Sequence, residues 1–218
     1  MLSNMCKFFV GAIVLVAAFS HSASAAIVAS FPGPMDFDGT TDFVALGSLS
    51  TIGQEGRIDL EFKADTTAGV RYIWYMDDDG VGASNQYRIF IGGDGQLHAY
   101  LYTPAGYAAT FATPFTDTSS FHTFSMAWKQ GEQTEFILDG GTPTLISNAQ
   151  LLQSFTSATN NLGKPNTDNN YFDGTIQNVV IRDTYAVPEP STLVSLGIGM
   201  AGLLASARRR RSRMAMAG

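Results

Sequence analysis

The chain has 218 residues, of which 13 are Lys or Arg and 19 are Asp or Glu, for a formal net charge of −6 at pH 7. Within residues 26–187 the balance is 7 basic against 18 acidic, a net −11. That surplus excludes the basic footprint by which a protein holds nucleic acid, and the one cysteine, Cys6, leaves the body of the chain no intramolecular disulfide.

In chain order, Lys7, the apolar run Phe8–Phe19 and the small-residue site Ala23-Ser24-Ala25 predict a secretory signal peptide over 1–25, cut after Ala25. The run is too short for a membrane span. Cys6 precedes it, so a lipid anchor on that thiol is not indicated.

Residues 26–186 have the length of one domain, enough to bury a core. Alternation of polar and apolar residues dominates. Arg57–Ala64 alternates at every step and Gln133–Asp139 nearly so, predicting strands with one buried and one wet face. Val70–Met76, Tyr87–Ile91, Gln96–Tyr102, His122–Lys129 and Thr175–Arg182 are aromatic and β-branched and predict further strands. Asp77-Asp78-Asp79-Gly80, Gly92-Gly93-Asp94-Gly95, Gln130-Gly131-Glu132 and Asp139-Gly140-Gly141 read as turns, and Gly92–Gly95 between two strands is a strong hairpin signal. The polar stretch Asn160–Asn170 reads as a loop. Short strands with regular turns predict an all-β sandwich of two antiparallel sheets.

Catalytic motifs are sparse. His98 and His122 sit in strand-like runs with no catalytic residues flanking them, and neither a G-x-S-x-G nor an H-E-x-x-H pattern occurs. Asp59 and Glu61 share one strand face and read as its solvated side. Asp77-Asp78-Asp79-Gly80 offers oxygen ligands but lacks the spacing of a calcium hand loop. Tyr100 and Tyr102 share a strand face with Tyr107 close in sequence, and Tyr72 and Trp74 are placed on one face by the same rule. Tyr100 and Tyr102 are the candidate sugar platform.

At the C-terminus, Val187-Pro188-Glu189-Pro190 precedes an apolar stretch, Thr192–Ala207, of 16 residues. As a helix it spans roughly 24 Å, a short transmembrane segment. Arg208, Arg209, Arg210 and Arg211, with Arg213, form a basic cluster that stays cytoplasmic by the positive-inside rule. Pro188 and Pro190 hold the motif extended, the form a protease cleft binds.

Two resemblances follow from these residues. The segment 187–213 resembles the PEP-CTERM sorting signal, in motif (187–190), helix (192–207) and basic cluster (208–213). The resemblance implies a Gram-negative bacterium, transient anchorage in the inner membrane, processing by an exosortase and a final place at the cell surface or outside the cell. Met35–Val44, Trp128–Gly131 with Phe136–Gly140, and Tyr171–Ile181 look like the opening strand, central hairpin and closing strand of a laminin-G-like, concanavalin-A-like jelly roll. That resemblance implies first and last strands lying together. It also implies a structural calcium near them, which Asp36 or Asp38 with Asp173 or Asp183 would hold, although Gln177 stands where many relatives carry an acid. The functional expectation is a non-enzymatic surface or matrix module binding exopolysaccharide or another surface protein. The alternative is a glycan-cleaving enzyme on the same fold, which needs two carboxylates converging about 5–9.5 Å apart.

Overall fold

The structure, a computed structural model, describes residues 26–185 except 48, 50, 51, 79–84, 149, 151, 153, 154, 156, 157 and 166–168. The signal segment 1–25 and the whole sorting segment 187–213 lie outside the described residues.

Thirteen strands are described: β1 (Ile27–Phe31), β2 (Met35–Asp38), β3 (Val44–Ala45), β4 (Glu55–Ala64), β5 (Arg71–Asp78), β6 (Gln86–Ile91), β7 (Gln96–Thr103), β8 (Gly106–Pro114), β9 (His122–Lys129), β10 (Gln133–Leu138), β11 (Thr144–Ser147), β12 (Ala158–Leu162) and β13 (Asp173–Arg182). They form two antiparallel sheets, the predicted sandwich. The first runs β1-β13-β4-β9-β10-β11, with β2 also on β13; the second runs β3-β12-β5-β6-β7-β8. The last strand is therefore the partner of the first two, as expected: β1 takes Val179–Arg182 of β13 and β2 takes Asp173–Ile176.

Alternation drives the apolar faces of both sheets together. Ile58, Leu60 and Phe62 of β4 meet Ile73, Trp74, Tyr87 and Ile89 of the opposing sheet in one continuous core. Trp128 is its hub: its ring stacks on Trp74 at 6.3 Å and meets Tyr87 edge-on at 5.1 Å. The polar tips are satisfied, since the Trp128 indole and the Tyr87 hydroxyl both donate to the Gly53 carbonyl, at 3.0 and 3.1 Å. The Trp74 indole donates to Asn160 Oδ1 at 2.8 Å. A Cβ on Gly56 would lie 2.6 Å from the Trp128 ring, so only glycine lets β4 pass that close.

Four expectations are corrected. Met35–Val44 is not one strand: Asp38 Oδ1 accepts the amides of Thr40, Thr41 and Asp42, reversing the chain so that β2 and β3 fall in different sheets. Asp77 and Asp78 do not turn but extend β5, paired to β12; Asp79 and Gly80 lie outside the described residues. The predicted loop Asn160–Asn170 begins inside β12, where Asn160 and Asn161 are buried between β3 and β5. Finally, the β5–β6 register slips between Tyr72 and Trp74, so these two do not share a face.

Candidate functional site

The slip in β5 builds the site. It sends Ile73, Trp74 and Met76 into the core and turns Tyr72 and Tyr75 outward, where both are buried yet stand apart from the core between the sheets. On β6 and β7 alternation places Gln86, Arg88, Phe90, His98, Tyr100 and Tyr102 on the same outward face. Cross-strand registry sets these side chains in three rows from β5 to β8: Asp77, Gln86, Tyr102 and Tyr107; Tyr75, Arg88, Tyr100 and Thr110; Tyr72, Phe90, His98 and Ala112. At about 4.8 Å between strands and about 7 Å between rows, the patch measures roughly 14 Å on a side.

The rings hold one another in place. Phe90 stacks between Tyr72 at 5.2 Å and His98 at 4.9 Å, and meets Tyr100 edge-on at 5.6 Å. Tyr107 stands on Tyr100 and Tyr102, edge-on at 5.3 and 5.2 Å, and remains 56% exposed. Arg88 lies at the centre. Its guanidinium is 5.0 Å from the Tyr75 ring centre, 5.3 Å from Tyr100 and 5.7 Å from Tyr72. It donates to the Tyr72 hydroxyl at 3.1 Å and to Gln86 Oε1.

Burial sets the electrostatics. It raises the Tyr100 hydroxyl well above the ordinary phenol range, against the opposing pull of Arg88. It raises Tyr75 likewise, helped by the hydrogen bond that Tyr75 donates to Asp77. Burial works to lower Arg88, and the surrounding phenols of Tyr100, Tyr72 and Tyr75 more than offset it. At neutral pH the centre of the face thus presents the Arg88 cation between the neutral phenols of Tyr75 and Tyr100, with Asp77 in the adjoining row.

The outward face of the other sheet differs in kind. Asp59 accepts from Arg57 Nε at 2.7 Å, from Ser125 Oγ at 2.6 Å and from Arg182. Glu61 accepts from Gln177 Nε2 at 2.8 Å, so an acid at position 177 would repel it. These carboxylates are tied into the strand lattice and lie on the sheet opposite the aromatic patch. A shallow cleft of about 490 Å³ at the end of that same sheet is lined by Glu132, Glu135, Leu145 and Tyr185.

The residues proposed for calcium do not gather into a coordination shell. Asp38 and Asp173 are paired across β2 and β13, and Asp36 accepts from Thr175 Oγ1 at 2.8 Å. Both Asp38 oxygens are engaged by its own turn, Oδ2 by the Thr41 hydroxyl at 2.7 Å, and these bonds hold its carboxyl far below the usual range. Asp183 is ten residues from Asp173, just past the far end of β13, roughly 33 Å away. There it accepts the Ala26 amide. Among the described residues no group of three or more His, Cys, Asp and Glu is placed to hold a metal ion.

His98 and His122, the histidines among the described residues, are engaged locally. His98 Nε2 lies 3.0 Å from Asp94 Oδ1, and that hydrogen bond lowers the Asp94 carboxyl. His122 bridges Asp139 Oδ2 at 2.8 Å and the Asp117 carbonyl at 3.2 Å over the Phe62 and Phe115 rings. Sequence reasoning placed Tyr100 and Tyr102 on this face but missed Arg88 and Phe90. The alternation of Tyr87–Ile91 carried that signal, because Arg88 occupies an outward position of a strand read as the neighbour of Gln96–Tyr102.

Comparison with known proteins adds two findings. Residues 186–211 match the family model described as the PEP-CTERM protein-sorting motif. The chain therefore carries a signal for export, membrane anchoring at the C-terminal side and exosortase processing. Over 71% of this chain the fold matches 94% of the CBM40 domain of a Ruminococcus gnavus IT-sialidase, bound to alpha2,3 sialyllactose, with TM-score 0.54 at 12% identity. It also matches a leech intramolecular trans-sialidase (TM-score 0.53, 13% identity, 73% of this chain and 27% of that one). The LG1-3 region of the laminin alpha2 chain matches with TM-score 0.51 at 18% identity, over 71% of this chain and 28% of that one. The chain thus spans about a quarter of the length of the last two. The fold is the laminin-G and CBM40 type of jelly roll. No curated protein matches the chain in sequence.

Proposed function

We propose that this protein is an exosortase-processed surface or matrix component whose sandwich binds carbohydrate, without cleaving it, on the outward face of β5–β8. The observation that carries the reading is the ring lattice around Tyr100, Tyr102 and Tyr107: a preordered aromatic surface about as wide as two or three sugar rings, with Tyr107 open to solvent. Aromatic faces take the apolar side of a pyranose, and the hydroxyls and amides of Tyr102, Gln86 and Thr110 in the same rows suit its rim. A domain of the same fold is bound to sialyllactose, which supports a saccharide as the kind of ligand and carries no residue across. The tying of Asp59 and Glu61 into ion pairs and amide bonds favours binding over hydrolysis.

An export and sorting signal over residues 186–211 supports exopolysaccharide as the ligand to test. The test is binding of the exported protein to the producing organism's own exopolysaccharide by calorimetry, followed by sizing of the polymer. The expected result is saturable binding and unchanged polymer length. Absence of binding, or shortened polymer, overturns the reading.

A further inference from the structure

We propose that the aromatic face selects glycans carrying a carboxylate sugar, with Arg88 as the carboxylate's partner. This deepens the carbohydrate reading above and rests on it.

The argument begins with how the described arginines are satisfied. Arg57 and Arg182 pair with Asp59. Arg71 donates to the carbonyls of Ala68, Gly39 and Tyr171. Arg88 alone sits half-buried among rings, and among the described residues it enters no ion pair. Its hydrogen-bond partners are neutral, a phenol and an amide, and its buried Nε–H has no acceptor. Residues 26–187 hold 18 acids, yet among the described residues none forms an ion pair with this cation; Asp77, in the adjoining row, instead accepts from Tyr75 and Gln86.

A guanidinium withdrawn from water is stabilised by ring faces and by neutral acceptors, but its strongest partner is a planar carboxylate that takes two parallel N–H bonds. The Tyr75 and Tyr100 rings flank Arg88 on either side in its row, and its planar fork matches a planar carboxylate better than a tetrahedral sulfate. Tyr100 and Tyr107 lie on the two strands beyond Arg88, so a sugar seated on those rings is within about 5–10 Å of the cation. That is the reach of a carboxylate on the same or the adjoining ring. The negative balance of the domain sets a limit. Sparse carboxylates are favoured, and a dense polyanion is repelled at distances that salt does not fully screen.

The test uses the exported full chain and four probes titrated by calorimetry: a trisaccharide containing one glucuronic acid, its methyl ester, the neutral glucose parent and a sulfated analogue. The expected result is that the acid binds about tenfold or more tighter than the ester, the neutral parent and the sulfate. Arg88→Gln is expected to bring the acid-to-ester ratio to about one while retaining binding of the neutral sugar, with Arg88→Lys in between. Equal affinity for acid and ester, a ratio unchanged in Arg88→Gln, or sulfate bound as well as carboxylate would each overturn the selection and leave the carbohydrate reading standing. No binding of any probe would remove both. Should Arg88→Gln fail to fold, judged by its thermal transition, the acid–ester comparison on the unaltered chain decides alone.

Discussion

Tyr107 and Trp128 show the two uses this chain makes of an aromatic ring. Trp128 is fully buried with its indole satisfied, whereas Tyr107 is more than half exposed and held only by other rings. Tyr107→Ala is therefore expected to leave the denaturation midpoint unchanged within about 0.5 kcal/mol and to weaken glycan binding roughly tenfold, read by calorimetry. Asp38 offers a second prediction. Four hydrogen bonds depress its carboxyl in the folded state, so its contribution is full above the ordinary aspartate range near pH 4 and is lost as pH falls towards the folded value. Asp38→Asn is expected to be less stable than the native chain at pH 7 and to converge with it as pH falls below about 4, measured by urea midpoints. At this scale the sequence showed Tyr100 and Tyr102 on a common face by simple alternation. It did not show that Asp38 serves a turn, because an Asx reversal and a metal ligand call for the same residue.

Among the elements, β13 carries the most partners, pairing with β1, β2 and β4. Gly174 lets it begin: its φ is 140°, and a Cβ there would lie 2.1 Å from the Lys63 carbonyl oxygen on β4. Gly174→Ala is expected to lower stability by at least about 2 kcal/mol through backbone strain and loss of that pairing, seen as an earlier midpoint in chemical denaturation. Strands with a strong pattern were legible: β4, β6, β7 and β10 alternate polar and apolar residues, and β9 and β13 are rich in aromatic and β-branched ones. β8 was not, because Ala and Thr stand on both of its faces and its pattern blurs at a sheet edge. β12 was not, because Asn160 and Asn161 look like loop residues until the Trp74 indole donates to Asn160 Oδ1. The bulge in β5 was hidden too, since one extra residue leaves composition unchanged and reverses every face beyond it. That bulge brings Tyr72 and Tyr75 beside Arg88, so the candidate site was only half visible in the sequence.

For the whole molecule, destination and binding are written in different segments. The sorting signal was fully legible, since its chemistry is local: two prolines, an apolar run and a basic stop. The combined change Pro188→Ala and Pro190→Ala is expected to let helix run into the motif and to block cleavage, so that the protein stays in the membrane fraction. Mass spectrometry of its C-terminus would then find Arg208–Arg213 retained, where the unaltered chain has lost them.

At one corner of the sandwich, the Ala26 amide donates to Asp183 Oδ1 at 3.1 Å and the Asp183 amide returns a bond to the Ala26 carbonyl at 3.3 Å. Entry and exit of the polypeptide are thereby laced together within one strand spacing. A bilayer holding both flanking segments would grip the module at a single point, as a bell hangs from its yoke. Both bonds lie inside residues 26–183, so cutting either flanking cord would leave this knot tied.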